Sequence, residues 1–135
     1  MLIIKTFLRE IPGKGMGLFA DEDLATGQVW WVWNDEIDQV VRSDTYESMD
    51  DLSRKFVKKY GVKSELGEYW LYADHARFCN HADNPNSEGI DPQFGVDTKI
   101  KTIQPVKTGE ELTLDYRKFI YDFPDGILNF EVLEN

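Results

Sequence analysis

The sequence predicts a single domain of the β-rich α+β class, built from short antiparallel sheets. Short runs of β-branched and aromatic residues recur along the chain, and most of them end at glycine or proline turns. One segment, residues 43–61, instead carries apolar residues at helical spacing. With 135 residues, of which 41% are hydrophobic, the chain can bury one core and is too apolar for a disordered polypeptide.

The first third of the chain predicts three strands. Residues 2–8 mix β-branched and aromatic side chains, and a turn with three glycines follows at 12–17. A short strand is expected at 18–20, and a strongly apolar one at 28–33 that holds three of the four tryptophans. Short connections of this kind favour antiparallel pairing.

The helical segment begins after a polar break. Ser43 or Asp44 can cap a helix, and Glu47 lies near its third position. Apolar residues continue at helical spacing as far as Tyr60, and the helix should end by Gly61.

The second half of the chain returns to strand patterns. An aromatic strand is predicted at 68–72, and residues 87–95 are predicted to form a loop because they are rich in Gly, Pro and Asp. Alternating residues predict a strand at 94–103, a turn follows at 105–110, and a last strand is expected at 111–116.

The charge of the chain restricts its partners. A formal net charge of -10 argues against direct binding to a nucleic-acid backbone, which requires a basic face. An acidic surface attracts basic segments, so a basic protein partner is compatible with the composition. A third possibility, an acidic protein that mimics nucleic acid, predicts a continuous stripe of carboxylates, whereas the acids here are scattered.

The compartment is predicted from cysteine content and hydropathy. The single cysteine, Cys79, excludes an internal disulfide and a cysteine-rich zinc cluster, and it suits a reducing compartment. No apolar run approaches the roughly 20 residues of a membrane helix, and the first residues do not form a signal peptide. We therefore expect a cytoplasmic protein that does not contact a membrane.

An unusual stretch, residues 77–86, contains the pair Asn80-His81. His81 could act as a base, as a metal ligand or as a buried hydrogen-bonding group. A metal site is disfavoured because the only other histidine is His75, and no paired ligand spacing exists. A nucleophilic pair of Cys79 and His81 lacks an evident third group to orient it.

Two further stretches are ambiguous on their own. The glycine turn before Leu18 is typical of a hairpin, but glycines also let the backbone approach a ligand closely. A dinucleotide fingerprint is disfavoured because a strand, not a long helix, follows the turn. Tyr116, at the end of the last strand, could be a packed aromatic or could place its hydroxyl in a pocket.

Taken together, the three stretches resemble the SET domain of protein-lysine methyltransferases. The matching segments are Gly15–Phe19, Arg77–Asn86 and Gly109–Tyr116, in the order found in that family. The resemblance covers roughly residues 5–120 and implies a SET fold with a C-terminal pseudoknot. The whole chain, 1–135, is expected to be one compact stand-alone SET domain without the cysteine-rich zinc-binding flanks of many members.

The resemblance also implies roles for individual residues. It assigns binding of S-adenosylmethionine to Lys14, Gly15, Met16, Gly17, Asn80 and His81. It makes Tyr116 the active-site tyrosine and places Trp33 in the channel for the target lysine. Residues 34–68 become a variable insert, and residues 118–135 an aromatic tail that closes the site, with Phe123 at the cofactor and Tyr121 at the channel.

The implied activity is methyl transfer from S-adenosylmethionine to the side-chain amine of a lysine in a basic protein or peptide. Two departures from the family pattern keep an alternative open. Ala82-Asp83 stand where members often carry Ser-Cys, and Trp33 replaces a tyrosine. The alternative is a catalytically inactive SET-fold module that binds a basic peptide or protein partner.

The remaining expectations concern packing. Arg77 is predicted to be structural and to pair with a carboxylate of another strand, for example that of Glu111. Phe78, Leu112 and Leu114 are predicted to belong to the core.

Overall fold

The computed structural model describes residues 1–118. This part of the chain contains ten short strands, two α-helices and two 3-10 turns. The ten strands form four small sheets. The strands are β1 Thr6–Ile11, β2 Gly15–Ala20, β3 Val29–Val32, β4 Gln39–Val41, β5 Gly61–Lys63, β6 Tyr69–Leu71, β7 Asn80–His81, β8 Ser87–Gln93, β9 Val96–Thr102 and β10 Thr113–Leu114. The helices are α1 Ser43–Ser48 and α2 Asp51–Tyr60, and the 3-10 turns are His75–Phe78 and Tyr116–Lys118.

The glycine turn is a hairpin, as its composition predicts. β1 and β2 pair antiparallel with Ile11 opposite Gly15, and the turn residues Gly13 and Gly15 have φ values of 82° and 93°. Only glycine adopts such values without strain. The first strand lies later than expected, because Leu2 makes an isolated bridge with Trp31 instead of joining the hairpin.

The predicted loop at 87–95 is wrong, because β8 occupies most of it. β8 pairs antiparallel with β9, which pairs on its other side with β3. Pro92 is tolerated because β8 is an edge strand, where a missing N–H costs little. Gly89 is required by its neighbour, since a Cβ there would lie 2.0 Å from the Asp97 carboxylate.

The insert forms a sheet of its own, in the order β4-β6-β5, with α1 and α2 beside it. The predicted helix starts and ends where expected, but it breaks in the middle. Met49 is extended at the end of α1, and the Asp50 side chain accepts a 2.7 Å bond from the Ser53 amide to start α2. The chain therefore leaves the first helix at Met49, and the Asp50 cap begins the second helix.

Two apolar clusters hold the described chain together. The larger one joins β2, β3, β9 and the segment before β10, and its fully buried members include Leu18, Trp30, Trp31 and Leu112. The smaller one lies in the insert, around Val41 and Val57. Leu112 and Leu114 are buried as predicted, whereas Phe78 is only half-buried.

The last strand is shorter than predicted. β10 contains only Thr113 and Leu114, which run parallel to Asn80 and His81 of β7, and Glu111 makes an isolated antiparallel bridge with Phe19. The two segments that a C-terminal pseudoknot requires therefore lie side by side. Between residues 1 and 118, no helix is long and apolar enough to span a membrane.

Candidate active site

The three motifs converge on one place in the fold. The Leu112 amide donates to the Leu18 carbonyl at 2.8 Å, and the Ala20 amide donates to the Glu110 carbonyl at 3.0 Å. These bonds place residues 109–112 along β2. Immediately afterwards, β10 pairs with β7, so that the last motif lies between the other two.

Asn86 is a buried side chain that holds the last motif in place through hydrogen bonds to its backbone. Its Nδ2 donates to the Glu111 carbonyl at 2.7 Å, and its Oδ1 accepts from the Thr113 amide at 3.1 Å. The Ser87 hydroxyl donates to the same Oδ1, and it accepts in turn from the Trp30 indole at 2.9 Å. Asn86 therefore satisfies buried backbone groups of the last motif.

Asn80 links all three motifs through its amide. Its Nδ2 donates to the Met16 carbonyl at 3.1 Å and to the Glu111 carboxylate at 2.8 Å. No donor within residues 1–118 reaches its Oδ1, which leaves one acceptor available beside Met16. The predicted cofactor residues Met16 and Asn80 are therefore in direct contact.

Gly17 is needed for this contact. A Cβ at position 17 would lie 2.5 Å from the Ile11 side chain and 2.9 Å from the Glu111 carboxylate that holds Asn80. Lys14, Gly15 and Met16 are exposed along the adjoining turn. The backbone of residues 14–16 is therefore exposed next to the Asn80 side-chain amide, which its hydrogen bonds to Met16 and Glu111 hold in place.

His81 uses its ring to hold the chain after β10. The Tyr116 amide donates to Nδ1 at 3.0 Å, so Nδ1 is an acceptor and the proton of a neutral ring resides on Nε2. Nε2 lies 2.8 Å from the Asp83 carboxylate. Asp83 is one of the residues that depart from the family pattern, and here it fixes the tautomer of His81.

Tyr116 points its hydroxyl back into the same region. The hydroxyl donates to the Cys79 carbonyl, and the ring meets His81 edge to face at 5.6 Å. Burial, together with Cys79, Tyr72 and Glu111, raises the pKa of Tyr116 above its usual value. Tyr116 therefore remains a neutral phenol near pH 7, suited to orient a group and unsuited to act as a strong base.

Cys79 is not an activated nucleophile. Burial raises the pKa of its thiol, and nearby Glu111 raises it further. The sulfur contacts the Leu112 carbonyl at 3.3 Å and does not pair with His81. The alternative of a Cys-His nucleophile is therefore excluded, because a buried neutral thiol is inert.

Trp33 lies in an aromatic wall beside this region. The centroid of its ring lies 4.8 Å from the ring centroid of Trp70 and 6.3 Å from that of Trp31. Tyr72 extends this wall, since its ring centroid lies 4.3 Å from that of Trp31. Tyr72 is also one of the groups that raise the pKa of Tyr116. Sequence reasoning missed Tyr72 as a site residue, although the dense aromatic run of β6 was a usable signal.

Arg77 does not pair with Glu111, so that prediction is wrong. Its guanidinium donates twice to the Tyr72 carbonyl, at 3.1 and 2.8 Å, and it lies 5.4 Å from the Phe56 ring. Glu111 instead accepts from Asn80. Arg77 is nevertheless structural, since it ties the insert to the strand that leads into the site.

The two tail residues with predicted roles, Tyr121 and Phe123, lie outside the described residues. Within residues 1–118, no group of three or more histidine, cysteine or acidic side chains is placed to hold a metal ion.

Comparison with known families identifies this arrangement. The sequence model of the SET domain matches residues 15–117, which is most of the chain. The chain belongs to the SET-domain family. No curated protein matches the sequence at a significant level.

Solved structures show the same fold at low identity. A Plasmodium falciparum protein described as a histone methyltransferase aligns with a TM-score of 0.61 and 14% identity, over 84% of this chain and 93% of the other. Polycomb Repressive Complex 2 of Chaetomium thermophilum bound to the inhibitor GSK126 aligns with a TM-score of 0.61 and 21% identity, over 94% of this chain.

A third structure, ctPRC2 in an autoinhibited conformation bound to S-adenosylmethionine, has the same TM-score and identity and covers 95% of this chain. This SET domain spans only 16% of the Polycomb chains in both cases. At these identities, the likeness establishes the fold and confirms the predicted β-rich α+β architecture.

Proposed function

We propose that this SET domain transfers a methyl group from S-adenosylmethionine to the side-chain amine of a lysine in a protein. The observation that supports this most directly is the convergence of Asn80, Met16 and Tyr116 on one site. The Asn80 amide is fixed beside the Met16 carbonyl, and the Tyr116 hydroxyl is fixed on the carbonyl of the residue before Asn80.

The residues present fit the cofactor. Gly17 lets the Glu111 carboxylate that holds Asn80 approach the backbone next to the exposed residues 14–16, and the Asn80 Oδ1 is an acceptor without a donor in the described chain. The backbone of Lys14, Gly15 and Met16, together with Asn80 and His81, would hold S-adenosylmethionine. When bound, it supplies an electrophilic methyl group on a positively charged sulfur.

The chain's own contribution is alignment and desolvation. A lysine ammonium has a free pKa of about 10.4 and must lose a proton before its nitrogen can attack. An aromatic wall such as that of Trp33, Trp70 and Tyr72 disfavours the charged form and lowers the pKa of the amine. The neutral Tyr116 hydroxyl and the Cys79 carbonyl then orient the nitrogen toward the methyl group.

The charge of the chain supports a basic substrate. With a formal net charge of -10, the protein attracts segments rich in lysine and arginine.

We propose that residues 118–135 close the site, with Phe123 at the cofactor and Tyr121 at the lysine channel. We also propose that the protein acts in the cytoplasm.

Replacement of Tyr116 tests the proposal. The full chain is incubated with labelled S-adenosylmethionine and a mixture of basic proteins, and its melting temperature is measured with and without the cofactor. We expect the cofactor to raise the melting temperature of both wild type and Tyr116→Phe, and methyl transfer to fall about a hundredfold in the variant. Tyr46→Phe, in the insert, is the matched control and should keep full activity.

The outcomes separate this proposal from the alternative, an inactive module that binds a basic partner. Absence of transfer and absence of a cofactor-dependent melting shift would sink the proposal. Retained binding of basic peptides under those conditions would establish the module. The departures at Ala82, Asp83 and Trp33 give that alternative its basis.

A further inference from the structure

One surface of this acidic protein is basic. Five of its 15 lysine and arginine residues fall within ten consecutive positions, 54–63, which contain no acid, so the rest of the chain sets ten cations against 25 acids. The five residues are Arg54, Lys55, Lys58, Lys59 and Lys63. Most of them lie on α2, so this helix differs sharply in charge from the body of the domain.

The same helix exposes large apolar side chains. Leu52 is 81% exposed and Phe56 is 45% exposed, although they lie one turn apart on one face. They border a groove of about 420 Å³ whose lining continues inward to Val41, Val57 and Leu71. This apolar face therefore joins the cluster of the insert and remains open to solvent.

One exposed cation next to the apolar face, Lys55, has no partner of opposite charge in the described chain. Arg54 is paired with Asp51 at 2.6 Å. Lys55 and Lys58 are exposed, and neither forms an ion pair within residues 1–118. Lys55 lies three positions after Leu52, so that its ammonium group borders the apolar face.

We propose that this face of α2 is a docking surface for an acidic amphipathic helix of a partner protein. Its apolar row would lie on Leu52 and Phe56 over the groove, in the manner of a helix bound in an apolar groove. Its flanking carboxylates would face Lys55 and Lys59, which lie four positions apart on the side of α2 next to Leu52 and Phe56. Charge complementarity selects this occupant, because a basic methylation substrate is repelled here.

The docking surface is independent of the proposed catalysis. A nucleic-acid backbone would satisfy the lysines but would leave Leu52 and Phe56 without apolar partners, so a protein helix fits the observed surface better. The surface therefore predicts a partner that differs in charge from the substrate.

Peptide binding to the full chain tests the inference. The probe is a fluorescein-labelled peptide of about 18 residues with leucines on one helical face and glutamates beside them. A control peptide has glutamines in place of the glutamates, because a lysine peptide could bind as a substrate. Fluorescence anisotropy should show saturable binding of the acidic peptide, and binding of the glutamine peptide at least about tenfold weaker.

Three variants locate the interaction. Lys55→Glu with Lys59→Glu, and separately Leu52→Ser, should each weaken binding about tenfold. Lys5→Glu with Lys107→Glu makes the same change in net charge at exposed sites elsewhere and should leave binding unchanged. Melting curves of each variant ensure that the loss comes from the surface and not from unfolding.

Other results would overturn the inference. Equal binding of both peptides, or binding that ignores these variants, excludes the surface. Binding of a fluorescent DNA duplex that needs Lys55 and Lys59 but not Leu52 indicates nucleic acid instead. If changing the four acids of the tail (Asp122, Asp125, Glu131 and Glu134) to their amides increases peptide binding, the chain's own tail is the occupant. A dimer in sedimentation that Leu52→Ser abolishes indicates a second copy.

Discussion

The site region and the insert are built on different principles. Around β7 and β10, side chains bond backbone groups far away in sequence, as Asn86 does to Glu111 and Thr113. In the insert, α1, α2 and the sheet β4-β6-β5 pack mainly with one another and leave Leu52 and Phe56 exposed. The site region is therefore fixed by specific buried contacts, whereas α2 keeps large apolar side chains exposed to solvent.

A pair of leucines provides the strongest test of this comparison. Leu112→Ala removes a fully buried side chain between β2 and β7 and should lower the free energy of unfolding by about 4 kcal/mol. Leu52→Ala, the same change at a position that is 81% exposed, should alter it by less than about 0.5 kcal/mol. Urea unfolding measures both. Equal losses would contradict the distinction between the two regions.

A pair of asparagines tests the polar part of the site region. Asn86→Ala leaves the Glu111 carbonyl and the Thr113 amide buried without partners, so we expect a loss of about 2–3 kcal/mol in the free energy of unfolding. Asn84→Ala changes an exposed asparagine of the same loop and is the control. If urea denaturation gives the two variants the same stability, Asn86 does not fasten the last motif.

Gly17→Ala tests the coupling between the glycine hairpin and the site. The added methyl group would press on Ile11 and on the Glu111 carboxylate, which would move the Asn80 amide. We expect affinity for S-adenosylmethionine to fall about tenfold, because an overpacked contact shifts its neighbours. Calorimetric titration measures the affinity. Gly13→Ala, where a Cβ meets no atom within 4 Å, controls for the strain of the turn, and equal losses of affinity in both variants would refute the coupling.

The smallest expected effect is a pH dependence in the insert. Bonds from the Ser53 amide and hydroxyl hold the pKa of Asp50 below its usual value of 3.8. Folding thus lowers this pKa, so the stabilising contribution is present above about pH 4 and is lost as the pH falls through the folded pKa. Between pH 5 and about pH 2, the free energy of unfolding should therefore decrease less in Asp50→Asn than in wild type, as measured by urea denaturation at each pH.

The sequence could predict the site better than the insert, for a physical reason. Asn80, His81 and Tyr116 occur in motifs that resemble those of the SET domain, and this resemblance implied that they would lie together. The break at Met49 and Asp50 could not be predicted, because the apolar spacing continues across it and only the local cap decides. A local cap overrules the apolar periodicity in such places.

Two wrong expectations show the same limit at single residues. The composition of 87–95 indicated a loop, but pairing with β9 makes it an edge strand that tolerates Pro92. Arg77 was expected to find a carboxylate, but the nearest acceptor is the Tyr72 carbonyl. A sequence shows which partners are chemically possible, and the fold decides which of them is within reach.

The pairing of β2 with residues 109–112 has a consequence for the timing of synthesis. The β1–β2 hairpin can form early, yet the bond between Asp23 and Thr108 next to it spans 85 positions. Phe19 is already stacked on Phe7 within the hairpin, but Leu18 lacks its partner Leu112 until the ribosome has released those later residues. Long-range closures of this kind slow folding, and unfinished chains with exposed apolar strands aggregate readily. The newly made protein should therefore be most prone to aggregation before its last motif has emerged.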